Sequence, residues 1–347
     1  MTVNRRQMLA LLASATATRT GAQGFAGLGT TEDGFAMPER GTMLRFPADH
    51  GPHPEFRIEW WYLTANLRGP DGTQYGAQWT LFRSAQHPGE ATGWTSPQIW
   101  MGHAAVTTPD AHHFAEKFAR GGVGQAGARA APFEAWIDDW RLHGPDLQTL
   151  RAEARGEAFS YALDLTAIGP LVLHGDSGYS VKSADGQASF YYSQPAYTVT
   201  GLLDLETPIP VTGQAWLDRE WSSQPLAPDQ TGWDWFSLSL DSGDRLMAFR
   251  LRGARGDFLS GTWISPLGET QSLLTKTFTL TPIERSEVAG RSIPTTWRLQ
   301  LPNRALDVEV AAQNPQAWMG TSVAYWEGPV TAYGSHPGQG YLEMTGY

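Results

Sequence analysis

Apolar and polar residues alternate with a period of two through much of this chain, and one alternating pattern occurs twice. Glu59-Trp60-Trp61-Tyr62-Leu63-Thr64-Ala65 and Asp234-Trp235-Phe236-Ser237-Leu238-Ser239-Leu240 both run acid, Trp, aromatic, any residue, Leu, hydroxyl, apolar. Each is followed by a turn, Gly69-Pro70-Asp71-Gly72 or Asp241-Ser242-Gly243-Asp244, and then by a second β-like run ending in Arg. Period two puts Glu59 on the face of Trp61, Leu63, Ala65 and Leu67, and Asp234 on the face of Phe236, Leu238 and Leu240. An acid on an apolar strand face must be paired, protonated or functional, because an isolated buried carboxylate is costly.

The same alternation predicts a hairpin with strands 57–67 and 74–83, a polar pocket-rim loop over 85–98, and a strand from Ile99 to Thr107. Asp110 to Arg120 lacks the alternation and is expected to be a short helical or irregular excursion. Strands follow around 133–142, 147–154, 159–166, 170–174 and 189–193, and residues 197–205 and 211–217 lead into the second copy. The second copy adds 232–240, 245–252, 258–264, 270–280, 296–301, 305–311, 321–326 and 340–346. Closely spaced strands with turn residues between them predict an all-β protein of barrels or sandwiches. Pro208-Ile209-Pro210 interrupts a ladder and gives the expected boundary. The organisation is then 1–29 export signal and linker, 30–207 first unit, 208–347 second unit.

Composition sharpens this. At 347 residues the chain exceeds one ordinary core, and its 15 Trp, 14 Phe, 11 Tyr, 38 Gly and 23 Pro suit short antiparallel strands. The net charge of −10, with no basic run, argues against a nucleic-acid partner. The absence of Cys excludes disulfides and thiol catalysis. At the N-terminus, Arg5-Arg6 precedes an apolar run from Met8 to Ala17 that is too short to span a bilayer. The pair resembles a twin-arginine export signal, with Ala15-Thr16-Ala17 or a point near Ala22 as the cleavage site, and implies a periplasmic or secreted protein.

Nine His residues never form an HxH or HExxH pattern, and no GxSxG elbow, phosphate loop or GxGxxG unit occurs, so no metal and no organic cofactor is expected. His103, in an apolar strand, is the one candidate, set against the plainer reading of a hydrogen-bonded core His. The carboxylates remain. In Trp216-Leu217-Asp218-Arg219-Glu220-Trp221, Asp218 and Glu220 share a strand face about 6–7 Å apart, with Arg219, Leu217 and Trp221 on the other. Two adjacent carboxylates can push their pKa values apart into one acid and one base. They can equally form ion pairs with Arg at a barrel end. An acid present in both copies serves the architecture more readily than one reaction. That leaves Asp218 and Glu220 as the catalytic pair, with Glu59, Asp234 and His103 behind them.

Pro54-Glu55-Phe56-Arg57-Ile58-Glu59-Trp60-Trp61-Tyr62, Gly213 through Gln224, Tyr325-Trp326-Glu327-Gly328-Pro329-Val330 and Gly340 through Tyr347 occur in this order. Together they resemble the AttH-type secreted proteins, a family related to the carotenoid 1,2-hydratases. The resemblance covers essentially everything after the signal. It implies two tandem lipocalin-like barrels with few short helices, and relatives of differing activity, isoprenoid hydratases and fungal pericyclases among them. The hydratase pattern is richer in His around the segments that here are Asp218-Arg219-Glu220-Trp221 and Trp233-Asp234-Trp235, so the resemblance does not carry a carotenoid substrate with it.

The residues suit a cofactor-independent hydratase-type lyase acting on an isoprenoid or other alkene-bearing lipid. A neutral carboxylic acid protonates the double bond, aromatic faces stabilise the cation, and a second carboxylate deprotonates water. Trp61, Tyr62, Trp235 and Phe236 are the candidate ring faces, and Gln78, Trp216 and Trp221 complete the expected ligand-binding set. A non-catalytic periplasmic lipid carrier serving a membrane transport system needs only the cavity. A secreted hydrolase is the weaker third reading. If Glu59, Asp218, Glu220 and Asp234 all face Arg or Lys at barrel ends, the carrier reading gains. If at least two of them line one apolar cavity without cationic partners, the hydratase reading gains.

Overall fold

A computed structural model describes residues 33–224 and 226–347. The export signal expected at Arg5-Arg6 lies outside them. The first sheet contains β1 (Ile58–Arg68), β2 (Gln74–Ala85), β3 (Gln98–Thr107), β4 (His112–Arg120), β5 (Ala126–Arg129), β6 (Phe133–Ile137), β7 (Trp140–Gly144), β8 (Thr149–Arg155), β9 (Ser160–Ala167), β10 (Val172–Leu173), β11 (Tyr179–Val181), β12 (Ala188–Asp204) and β13 (Pro208–Ser222). The second contains β14 (Gln230–Leu240), β15 (Arg245–Gly253), β16 (Phe258–Ile264), β17 (Thr270–Leu274), β18 (Thr279–Val288), β19 (Arg291–Leu301), β20 (Leu306–Ala312), β21 (Trp318–Met319), β22 (Tyr325–Gly334) and β23 (Gly338–Met344). Every pairing between these strands is antiparallel. The first sheet curls into a nearly closed barrel and the second into a half-barrel, the tandem lipocalin-like arrangement, and no described helix reaches seven residues.

Two expectations give way. Asp110 to Arg120 contains a strand, β4, paired along β3 from Ile99↔Arg120 to Thr107↔His112. Its polar sequence fits because it is an edge strand, where charged side chains are tolerated and block further pairing. The division at 208 falls inside the first sheet: β13 starts there, and the chain changes sheets between Ser222 and Gln230. Pro208 and Pro210 pair only with β12, before β1 joins β13 at Thr212, so their missing N–H groups leave no gap between two ladders.

β1 lies between β2 and β13 and is buried on both faces. Trp61, Leu63, Ala65 and Leu67 point into the first core with Trp79, Leu81 and Leu217. The alternate face carries Tyr62, which joins Tyr191 and Trp216 of the first sheet and Trp235, Phe249, Leu251 and Tyr341 of the second in a separate apolar cluster. This cluster is the seam between the sheets.

Gly76 on β2 shows how tightly the seam closes. A Cβ there would lie 2.4 Å from the Tyr341 hydroxyl and 2.7 Å from Pro329 Cδ, and a proline ring cannot swing aside. Gly76→Val is expected to cost about 1–3 kcal/mol by overpacking. The check is a lower denaturant midpoint with an unchanged β spectrum in circular dichroism.

Candidate functional site

The duplicated acids are structural. Glu59 is wholly buried and faces Arg83 directly across β1 and β2. It bonds Arg83 Nε at 3.0 Å, Arg219 Nη2 at 2.8 Å and His53 Nδ1 at 2.6 Å. Burial would push its pKa up, but the His53, Arg219 and Arg83 charges outweigh burial and hold it far below the usual carboxylate range. Asp234 repeats the arrangement, facing Arg250 across β14 and β15 and bonding Arg250 at 2.7 Å, Arg252 at 2.5 Å and the Tyr347 hydroxyl at 2.7 Å. In each sheet an Arg of the cluster also lies on a buried Trp: Arg219 is 3.9 Å from the Trp61 ring centre, and Arg250 is 4.8 Å from that of Trp297. Trp61 and Phe236, expected against a ligand, therefore belong to the two cores. Strand alternation turns them away from the seam. Trp221 likewise stacks on His53 at 3.9 Å, inside the first sheet.

The other face of β13 carries Asp218 and Glu220 into a cleft between the sheets. Trp60, Tyr62, Phe82 and Tyr191 line it from the first sheet, and Trp233, Trp235, Phe249 and Leu251 from the second, with Lys182, Leu226 and Glu343 completing the wall. It is a narrow slot of about 80 Å³ walled by rings. Lys182 Nζ sits 2.8 Å from Glu220 and over the rings of Tyr191 and Phe249, so Glu220 has a cationic partner.

Asp218 has none. It accepts hydrogen bonds from Trp216 Nε1 at 2.6 Å, Tyr191 Oη at 2.9 Å and Ser193 Oγ. His174 lies 2.6 Å behind Ser193, and burial drops its pKa to about 3, so it orients the serine as a neutral ring. Burial raises Asp218 to about 7 against the pull of these three donors. Glu343 on β23 matches it: Trp233 Nε1 donates to it at 2.6 Å, burial raises it to about 7, and the nearby Glu220 adds to the rise. Of the four acids singled out in the sequence, Glu59, Glu220 and Asp234 thus have cationic partners, and Asp218 alone lines the aromatic cleft without one among the described residues, joined there by Glu343.

Of the expected ligand-binding residues, Tyr62 and Trp235 line the cleft and Trp216 holds Asp218. Gln78 and His103 lie further along the seam, both bonded to the Tyr325 hydroxyl at 2.9 Å. Glu343 is the acid that sequence reasoning passed over. Its signal was the alternation Tyr341-Leu342-Glu343-Met344, whose Leu and Met enter the second core and whose Glu must face the seam. Among the described residues no group of three His, Asp or Glu side chains is arranged to hold a metal ion.

The acids make opposite contributions to stability. Asp218 and Glu343 bind protons more tightly in the folded chain than in the unfolded one, so they weaken stability as pH rises from about 4 to 7. Glu59 binds its proton less tightly when folded, so its contribution is present above its unfolded value of 4.5 and is lost as pH falls below it. Taken together, the contribution of these three acids is largest at about pH 4 to 4.5 and declines toward pH 7. Thermal unfolding across pH checks this, and Asp218→Asn should flatten the fall toward pH 7. A peak above pH 7 would contradict it.

Comparison with known proteins gives three results. The family profile AttH-like matches residues 37–347. A crystal structure from Nitrosomonas europaea, described as an AttH, is 34% identical with a TM-score of 0.81, over 90% of this chain and 100% of that one. Kievitone hydratase from Nectria haematococca shares the fold at 16% identity and a TM-score of 0.66, over 90% and 98% of the two chains. CghA, solved with Sch210972, does so at 13% and 0.56, over 91% and 97%. No curated protein matches the sequence.

Proposed function

The chain belongs to the AttH-like family, and from that footing we propose that it is a cofactor-independent hydratase-type lyase that adds water to a C=C bond of an apolar isoprenoid or lipid. The observation that carries this reading is the pair Asp218 and Glu343, both raised to about 7 in a cleft of aromatic rings. A carboxyl group near neutrality can give up a proton at the pH where its partner accepts one. The fold also houses a protein named as a hydratase.

Glu343 is the acid. Its proton passes to one alkene carbon, and the cation left on the other carbon is stabilised by the ring faces of Trp60, Tyr62, Trp233 and Trp235. Asp218 is the base: three donors point at it, which suits the ionised form. It takes a proton from the attacking water as the new C–O bond forms. One proton enters the product from Glu343 and one leaves the water to Asp218. The Lys182–Glu220 pair stands beside them as a polar contact for a ligand head group.

Arg5-Arg6 supports export of the folded protein to the periplasm or beyond. Acyclic isoprenoids incubated with purified protein in oxygen-labelled water are expected to yield a labelled alcohol. Recovery of bound, unchanged alkene would favour a lipid carrier instead.

A further inference from the structure

The cleft is short, but the apolar surface that begins at its wall is not. Glu220 pairs with Trp60 on β1, Trp60 with Phe82 on β2, Phe82 with Met101 on β3, and Met101 with Phe118 on β4. Residues paired in this way stand on one face of a sheet, so these side chains form a single row across five adjacent strands. Trp60 and Phe82 line the cleft. Phe82 and Met101 are buried with Ile58, and Val323, from the turn before β22, packs against them. Beyond Met101 the row comes to the surface. Phe118 is 52% exposed, and Ile99, next to Met101 on the same face of β3, is 40% exposed. Four strand spacings of about 4.8 Å carry the row roughly 19 Å from Glu220 to the edge of the sheet.

Polar residues border this stripe on both sides. Thr80, His103 and Glu116 form the next row, with Glu116 held by His103 Nε2 at 3.0 Å and by the Ser322 hydroxyl at 2.8 Å. On the other side Ser84 and Arg120 flank Ile99, and Arg120 Nε donates to the Ser96 carbonyl at 3.2 Å. The apolar strip is therefore one or two side chains wide. A specific protein interface buries about 800 Å² on each partner, far more than such a strip offers. A net charge of −10 also opposes docking on an anionic bilayer. The width fits one extended hydrocarbon chain. A slot of about 80 Å³ takes only a short stretch of such a chain, so the rest must leave it.

We propose that the substrate is a long acyclic chain whose reacting double bond enters the cleft while its tail passes Trp60 and Phe82 and lies along Met101, Ile99 and Phe118. This deepens the hydratase reading and rests on it for the bond that enters the cleft, but binding alone tests it. Geraniol and geranylgeraniol, a short and a long acyclic isoprenoid alcohol, are titrated into the full-length protein by calorimetry. The longer chain is expected to bind at least tenfold more tightly. Phe118→Ser should weaken geranylgeraniol about tenfold and leave geraniol unchanged, while Phe118→Leu, which keeps an apolar side chain, should stay close to the native affinity. Phe118 is half-exposed on an edge strand, so both variants should keep the native circular dichroism. Equal affinity for the two chains, no binding of either, or a Phe118→Ser variant that holds both as the native chain does would overturn the proposal. So would a dimer in sedimentation that Phe118→Ser dissolves, which would give this face to a second copy. Absence of labelled alcohol would sink the hydratase reading alone.

Discussion

Arg219→Met is expected to destabilise the protein by about 3–5 kcal/mol, because it leaves the buried Glu59 charge without one of its cations. The guanidinium bonds Glu59 and the carbonyls of Trp60 and Gly51, each at 2.8 Å, and covers the Trp61 ring. Met keeps the packing on Trp61 but supplies none of those donors. A domain's total stability is typically about 5–15 kcal/mol, so this one change removes a large share of it. Denaturant unfolding at pH 7 measures the loss. Asp218→Asn under the same conditions should cost far less, since Asp218 is near half-protonated there and the amide preserves its shape. A cost below about 1 kcal/mol for Arg219→Met would show that the cluster does not hold the barrel as its geometry indicates.

Catalysis should respond in the reverse order. Glu343→Gln removes the transferable proton while leaving the Trp233 contact a carbonyl to donate to. Asp218→Asn removes the acceptor for the proton of water. Each is expected to lower hydration about 100- to 10,000-fold, the range for losing a positioned acid or base. Stability should change little in either, which separates these residues from Glu59 and Asp234. Both acids rise to about 7, so the rate profile should be a narrow bell.

The alternation of β1 and β14 made the fold legible: it put Glu59 with Trp61 and Asp234 with Phe236, and both sets lie inside their sheets. The same alternation put Asp218 and Glu220 on one face apart from Arg219, as observed. What period two does not carry is which face meets the other sheet. Trp61 and Phe236 were grouped with Tyr62 and Trp235 for that reason, although the two faces have different neighbours. Glu343 lies more than a hundred residues from Asp218, and only the docking of the two sheets brings it to the seam. The edge strand β4 was hidden because exposed edge residues need not alternate.

In the proposed reaction Glu343 gives the proton and Asp218 takes one. The pH dependence of labelled-alcohol formation in oxygen-labelled water, compared between the native chain and Asp218→Asn, tests it most directly. The native chain should show a bell centred near pH 7, falling at high pH as Glu343 ionises and at low pH as Asp218 is protonated. The residual activity of Asp218→Asn should keep the high-pH fall and lose the low-pH one. A bell that survives intact in Asp218→Asn, or a product without labelled oxygen, would contradict it.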